Sequence, residues 1–337
     1  MLLTAARFRV GAATIEPCYS LAYGVSMAGA VRLLEVSLRD GLQNEATVVP
    51  THEKVALAHQ MVGAGFCDLE VTSFVRPRMI PQLADAAEIM AGLPHVPGVR
   101  YWALVPNQVG LERALDAGVR HIGTFLSSSE THNQKNVNRT VRESLSELQG
   151  VIHTAAAHGV VVRSYVSTVF GCPYEGDVAT SRSLDLALAL LAAGASEVAL
   201  GDTTGMAHPE QVRQVIEAAV GSGVPIERIA LHLHDTRGTA LANAYAGWQA
   251  GVRMFDGSLA GVGGCPYAPG AAGNVATEDL VNLFESMGVS TGVDLEAACL
   301  VGNRLEGALG RPLPGRFHQY FGAARAPAVQ RASRSAC

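Results

Sequence analysis

One arrangement recurs along this chain and limits what it can become: a helical stretch that stops at a glycine and gives way to a short β-rich run. It appears as "MVGAGFCDLEVTSF", "ALDAGVRHIGTFL", "AAAHGVVVRSYVST", "LLAAGASEVALGD" and "WQAGVRMFDGSL". Gly65, Gly118, Gly159, Gly194 and Gly251 each fall where a helix ends in the left-handed conformation that glycine adopts at little cost. The runs that follow are rich in Val, Ile, Phe and Tyr, as parallel strands buried on both faces require. "VRLLEVS" near 31, "VRYWALV" near 99 and "RIALHLH" near 228 bring the strands to eight. Helical stretches at 52–64, 140–158, 178–193, 208–220 and 238–250 separate them. Eight β/α units in series predict a (β/α)8 TIM barrel in the α/β class, a fold that commonly takes roughly 250 residues as one domain. Two further helices are expected over 276–310. The domain reading is therefore an N-terminal extension at 1–29, expected to be flexible, a barrel with C-terminal helices at 30–322, and a tail at 323–337, expected to be disordered.

Composition narrows the activity. A chain that is 48% hydrophobic and 16% charged reads as a compact globule. Its net charge of -5 supplies no general basic field and argues against nucleic-acid binding. No stretch reaches the roughly 18 uninterrupted apolar residues of a membrane span. The six cysteines, at 18, 67, 172, 265, 299 and 337, are scattered and form no CxxC pair, which points to a reducing compartment and a cytoplasmic location. Arg7 and Arg9 among the first 15 residues, which carry no acid, fit a transit peptide or an unstructured bacterial leader equally well.

The reactive residues collect at one end of the strands. Arg39 and Asp40 follow strand one, Glu70 lies in strand two, Asp202 follows strand six, His232 and His234 belong to strand seven, and Cys265 and Asn274 follow strand eight. Barrel enzymes place their catalytic groups on that face. His232 and His234, two residues apart on a strand, project to the same side. They suit metal chelation, or else two histidines satisfied by ordinary hydrogen bonds. Asp40 favours the metal, because strand one adjoins strand eight in a closed barrel and its carboxylate can reach the same point. Two imidazoles, a carboxylate and the Asn274 amide oxygen leave positions open for substrate and suit Mg²⁺ or Mn²⁺. With Cys265 as fourth ligand instead, a tetrahedral Zn²⁺ site would follow. "RDGLQNE" and "GDTTG" also read as simple strand terminators, but an arginine directly before a metal-binding aspartate can hold a carboxylate or a developing enolate oxygen. His52, His59, His153, His158 and His318 lie in helical or tail contexts and read as surface residues.

On these residues the chain resembles the hydroxymethylglutaryl-CoA lyase family, a branch of the metal-dependent lyase and synthase barrels. The resemblance spans about 31–310 and is carried by "RDGLQNE" (39–45), "GCPYEG" (171–176), "HLHDTRGTALAN" (232–243) and "GVGGCPYAPGAAGNVATEDLV" (261–281), the last being the lyase signature. It implies cleavage of an acyl-CoA substrate, hydroxymethylglutaryl-CoA, to acetoacetate and acetyl-CoA. It also implies Asp40, His232, His234 and Asn274 as ligands of a divalent metal and Arg39 as the contact to the substrate carbonyl. Cys265 is implied as the catalytic cysteine, with Glu70 and Asp202 in support. A homodimer is implied as well.

Leu38 stands where the family often has proline, and Arg237 where tyrosine is common, which leaves open a relative acting on longer-branched hydroxyglutaryl-CoA thioesters. A condensing synthase of the isopropylmalate or homocitrate type is a rival, although those usually carry an extension after the barrel. A non-catalytic metal-binding barrel is another, and it would not need a loop cysteine. Arg76, Arg78 and Lys135 could meet CoA phosphates or be solvated loop charges. Cys337 reads as an incidental thiol or an intersubunit cross-link.

Overall fold

The computed structural model describes residues 29–264 and 273–325. The N-terminal extension, Cys265 and Cys337 lie outside the described residues. Eight parallel strands close in sequence order into a barrel. They are β1 (Arg32–Glu35), β2 (Asp68–Ser73), β3 (Arg100–Leu104), β4 (His121–Ser127), β5 (Val161–Ser167), β6 (Glu197–Asp202), β7 (Ile229–Leu233) and β8 (Met254–Gly257). The helices are α1 (Thr51–Gly63), α2 (Ala86–Gly92), α3 (Gln108–Asp116), α4 (Glu130–Val137), α5 (Val141–Ala157), α6 (Thr180–Ala193), α7 (Pro209–Gly221), α8 (Ala240–Gln249), α9 (Thr277–Ser286), α10 (Leu295–Leu309) and α11 (Arg316–Arg325). The five glycines that punctuate the sequence all have positive φ, from 68° at Gly159 to 114° at Gly194. At Gly65 a side chain is also sterically barred, since a Cβ would lie 2.3 Å from the Gly292 carbonyl oxygen.

Strand alternation divides the core into two layers. Val198 and Leu200 of β6 and Ile229 and Leu231 of β7 pack outward beneath the helices. Ala199, Ala230, Leu104, Tyr165 and Met254 fill the barrel with Phe125. His232 shares the inward parity of Ala230, so it faces the barrel axis. At the opposite, N-terminal end the barrel holds charge. Arg100 donates to Asp68 (2.7 Å), Arg32 bridges Asp68 and Glu197, and Arg163 binds Glu197 (2.9 Å) and Asp256. These buried charges are thus paired with one another, as burial demands.

The C-terminal helices support the site end. Ala298, Val301 and Leu305 of α10 share a cluster with Leu57 and Met61 of α1, and with Leu259, Ala260 and Val262 that follow β8. Leu38 is buried in the same cluster. Two acids grip this turn: Glu35 accepts the Leu259 N–H (3.0 Å), and Glu278 accepts that of Ala260 (2.7 Å), a residue with φ of 53°. Burial raises the Glu278 carboxyl to about 8. A carboxyl raised in the folded state stabilises below its unfolded value, and that contribution is lost as pH climbs through the folded one. The unfolding free energy of the wild type should therefore fall relative to Glu278→Gln between about pH 4.3 and 8 in urea titrations; parallel pH profiles would refute this.

Two expectations change. His318, read as a surface residue, is buried and bonded to Glu306 (3.1 Å), because the return of α11 across α10 and α9 covers it. That same helix continues to Arg325, past the boundary expected at 322.

Candidate functional site

The β1 strand ends in a π-type turn, Ser37–Gly41, in which the Val36 carbonyl accepts the N–H groups of Arg39, Asp40 and Gly41 at 3.1, 2.8 and 3.2 Å. Single π turns of this kind are frequent at functional sites, and here both Arg39 and Asp40 are buried. Gly41 permits this, because a Cβ there would meet Val262 Cγ1 at 2.5 Å. Just past β7, His234 forms a bridge with Asn274, which draws the asparagine to the histidines.

Ligand atoms of Asp40, His232 and His234 all lie within 4.8 Å of one another. Nε2 of His232 faces Nε2 of His234 at 3.2 Å, and Asp40 Oδ2 is 3.9 and 4.0 Å from these nitrogens. Asn274 donates to Asp40 Oδ2 (2.8 Å), while its own buried Oδ1 has no hydrogen-bond partner among the described residues. Two lone-pair nitrogens, a carboxylate and an idle amide oxygen converging on one point form a donor set that fits a divalent cation. Burial and the neighbouring His232 push His234 down to about 4, so it is neutral at pH 7. Burial alone would raise Asp40, but Arg39, His232 and His234 together hold it well below the usual carboxylate range. His232 is also desolvated, yet its bond to Asp256 and the charge of Asp40 keep it above its ordinary value.

Arg39 links this centre to Glu70. Its Nε donates to Glu70 Oε2 and its Nη1 to Asp40 Oδ1, and the guanidinium lies 5.7 Å from the Tyr165 ring centroid. Burial raises Glu70 despite Arg39, and Tyr165 donates to its other oxygen at 3.3 Å. Asp202 sits differently. Burial raises it to about 6, and its oxygens accept from the N–H groups of Met206 (2.8 Å) and Ala207 (3.1 Å), which fastens the loop before α7. Arg237 fastens the next loop to that one through the Thr204 and Gly205 carbonyls (2.7 and 2.9 Å). Cys265 falls outside the described residues, but Gly264 before it lines the cleft.

The cleft over the cluster encloses about 230 Å³, with Val75, Ile80, Leu104 and Phe125 as its apolar wall. The sequence reading missed His132, which lines the cleft and which burial lowers to about 4, and Asp256, bonded to His232 at 3.0 Å. An acid inside the apolar "MFDG" strand was the available signal for Asp256. Lys135 stacks on Tyr174 at 4.9 Å.

Among the described residues no helix is long and apolar enough to cross a membrane. Residues 30–304 match the family model described as HMGL-like. The hydroxymethylglutaryl-CoA lyase of Bacillus subtilis (strain 168) is 48% identical over 291 residues, 86% of this chain and 97% of its own. A Pseudomonas aeruginosa protein named 3-hydroxy-3-isohexenylglutaryl-CoA/hydroxy-methylglutaryl-CoA lyase is 46% identical over 83% of this chain and 93% of its own. The crystal structure of the Bacillus subtilis HMG-CoA lyase superposes with a TM-score of 0.85 at 47% identity, covering 87% of this chain and 98% of that one. With a matching fold, and with Asp40, His232 and His234 gathered in one buried cluster, the chain belongs to the HMGL-like family, among its hydroxymethylglutaryl-CoA lyase enzymes.

Proposed function

We propose that this enzyme cleaves 3-hydroxy-3-methylglutaryl-CoA to acetoacetate and acetyl-CoA with a divalent cation, Mg²⁺ or Mn²⁺. The observation that carries the proposal is the Asp40–His232–His234 cluster with Arg39 bonded to its carboxylate. Those three residues and the Asn274 oxygen would hold the cation, which would supply Lewis acidity to lower the pKa of the tertiary hydroxyl. Of the two candidate bases, Asp40 and His232, Asp40 accepts the hydroxyl proton, because His232 has Nδ1 engaged at Asp256 and Nε2 at the cation site. The C2–C3 bond breaks with its electron pair passing to the acetyl-CoA fragment, whose enolate oxygen Arg39 neutralises. Glu70 and Tyr165 hold the guanidinium in place, Asp202 keeps the β6–α7 loop against the site, and Cys265 returns a proton to the enolate carbon. The apolar wall excludes water from the reacting groups.

The same wall of Val75, Ile80, Leu104 and Phe125 supports a second reading, a lyase for longer-branched 3-hydroxyglutaryl-CoA substrates. Assaying the purified protein with Mg²⁺ or Mn²⁺ against a panel of CoA thioesters with methyl and isohexenyl branches decides between them. Cleavage of neither would remove the lyase assignment. His234→Ala should weaken Mn²⁺ binding by at least about 10-fold in calorimetry, since it deletes a direct ligand. Unchanged affinity would take His234 out of the metal site. A homodimer and a cytoplasmic setting are carried as parts of the same proposal, the first open to light scattering.

A further inference from the structure

Asp256 of β8 lies opposite His232 of β7 in the barrel register and is buried. Its Oδ2 is 3.0 Å from His232 Nδ1. Its Oδ1 accepts from Nη2 of Arg163, a fully buried arginine whose Nη1 donates to Glu197 Oε1 at 2.9 Å. A carboxylate offers only acceptors and a guanidinium only donors. Asp256 is therefore fixed from behind by a group that cannot reverse the bond, and the ring nitrogen facing it has to be the protonated one. Nε2, on the other side of the ring, is left with its lone pair toward His234 and Asp40. Nothing comparable holds His234, whose buried Nδ1 has no hydrogen-bond partner among the described residues.

We propose that Asp256, backed by Arg163, is a positioning residue that locks His232 in the Nδ1–H tautomer and so presents Nε2 to the divalent cation. The inference rests on the metal reading above and adds to it the source of His232's orientation. Carboxylates that fix a ligating imidazole in this way typically matter by 10–100-fold in metal affinity. Asp256→Asn separates this role from packing. Arg163 can only donate, so the asparagine oxygen turns to Arg163 and its NH2 faces His232 Nδ1. The ring must then carry its proton on Nε2, the wrong tautomer, in a side chain of nearly unchanged shape.

Titrating Mn²⁺ into the full-length protein by its EPR signal should show the dissociation constant of Asp256→Asn raised about 10–100-fold, with a melting temperature near that of the wild type. Glu197→Gln, which loosens Arg163 without touching His232, should lower the melting temperature and raise the Mn²⁺ dissociation constant by less than Asp256→Asn does. A folded Asp256→Asn that binds Mn²⁺ within about twofold of the wild type overturns the proposal. Should that variant not fold, nitrogen-15 histidine spectra of the Mg²⁺-loaded wild type decide instead. A proton on His232 Nδ1 supports the lock, and a proton on Nε2 overturns it. A wild type that binds neither cation removes the metal reading and this inference together, whereas tight binding by Asp256→Asn removes only the inference.

Discussion

Replacing Arg39 by lysine is expected to lower kcat/KM by about 10²–10³-fold, the usual worth of a donor aimed at charge that develops in the transition state. The guanidinium spends Nε on Glu70 and Nη1 on Asp40, which leaves Nη2 with no acceptor among the described residues. That free donor, rigidly mounted and desolvated, is what a forming enolate oxygen requires. Lysine keeps the charge and can still meet Glu70 or Asp40, so folding should survive. A single ammonium on a flexible stem, however, cannot serve both carboxylates and a third oxygen in fixed geometry. The loss should fall mainly on kcat, because the interaction strengthens only as the carbon–carbon bond breaks. Steady-state kinetics with hydroxymethylglutaryl-CoA would test this. Activity within about threefold of the wild type, or a change confined to KM, would show that Arg39 merely binds the ground state.

Cys265→Ser should lose at least about 100-fold in turnover while binding Mn²⁺ as tightly as the wild type. A serine hydroxyl is far too weak an acid to hand a proton to carbon at the rate a thiol can. Cys265 lies outside the described residues, which stop at Gly264 and resume at Gly273. Gly264 lines the cleft and accepts from Asn44 at 3.1 Å. Gly273 packs so closely on the backbone before Cys265 that a Cβ would lie 2.6 Å from the Gly263 carbonyl carbon, and Asn274 follows immediately. Cys265 follows directly in the chain from a glycine that lines the cleft. Loss of metal along with activity in Cys265→Ser would instead identify the sulfur as a ligand and revive the zinc alternative.

Much of this molecule was legible because its signals are local. Helix-ending glycines, strands of alternating parity and two histidines at i and i+2 act within a few residues, so reading them needs no knowledge of what lies across the fold. The barrel, its strand order and the convergence of Asp40, His232 and His234 follow from that grammar. Long-range packing was not legible. His318 is buried only because α11 folds back over α10, a contact that no helical pattern announces.

The sequence by itself therefore determined the architecture and which residues we propose as metal donors, since periodicity and capping specify elements and strand ends specify the face on which loops meet. Tertiary structure alone decided how those donors are aimed. The hydrogen bond that ties Asn274 to Asp40, the bridge that seats Asn274 beside His234, and the register that sets Asp256 against His232 join residues up to 234 positions apart. Their partners are chosen by barrel closure, and the low dielectric inside makes each unpaired polar atom costly enough to enforce the choice.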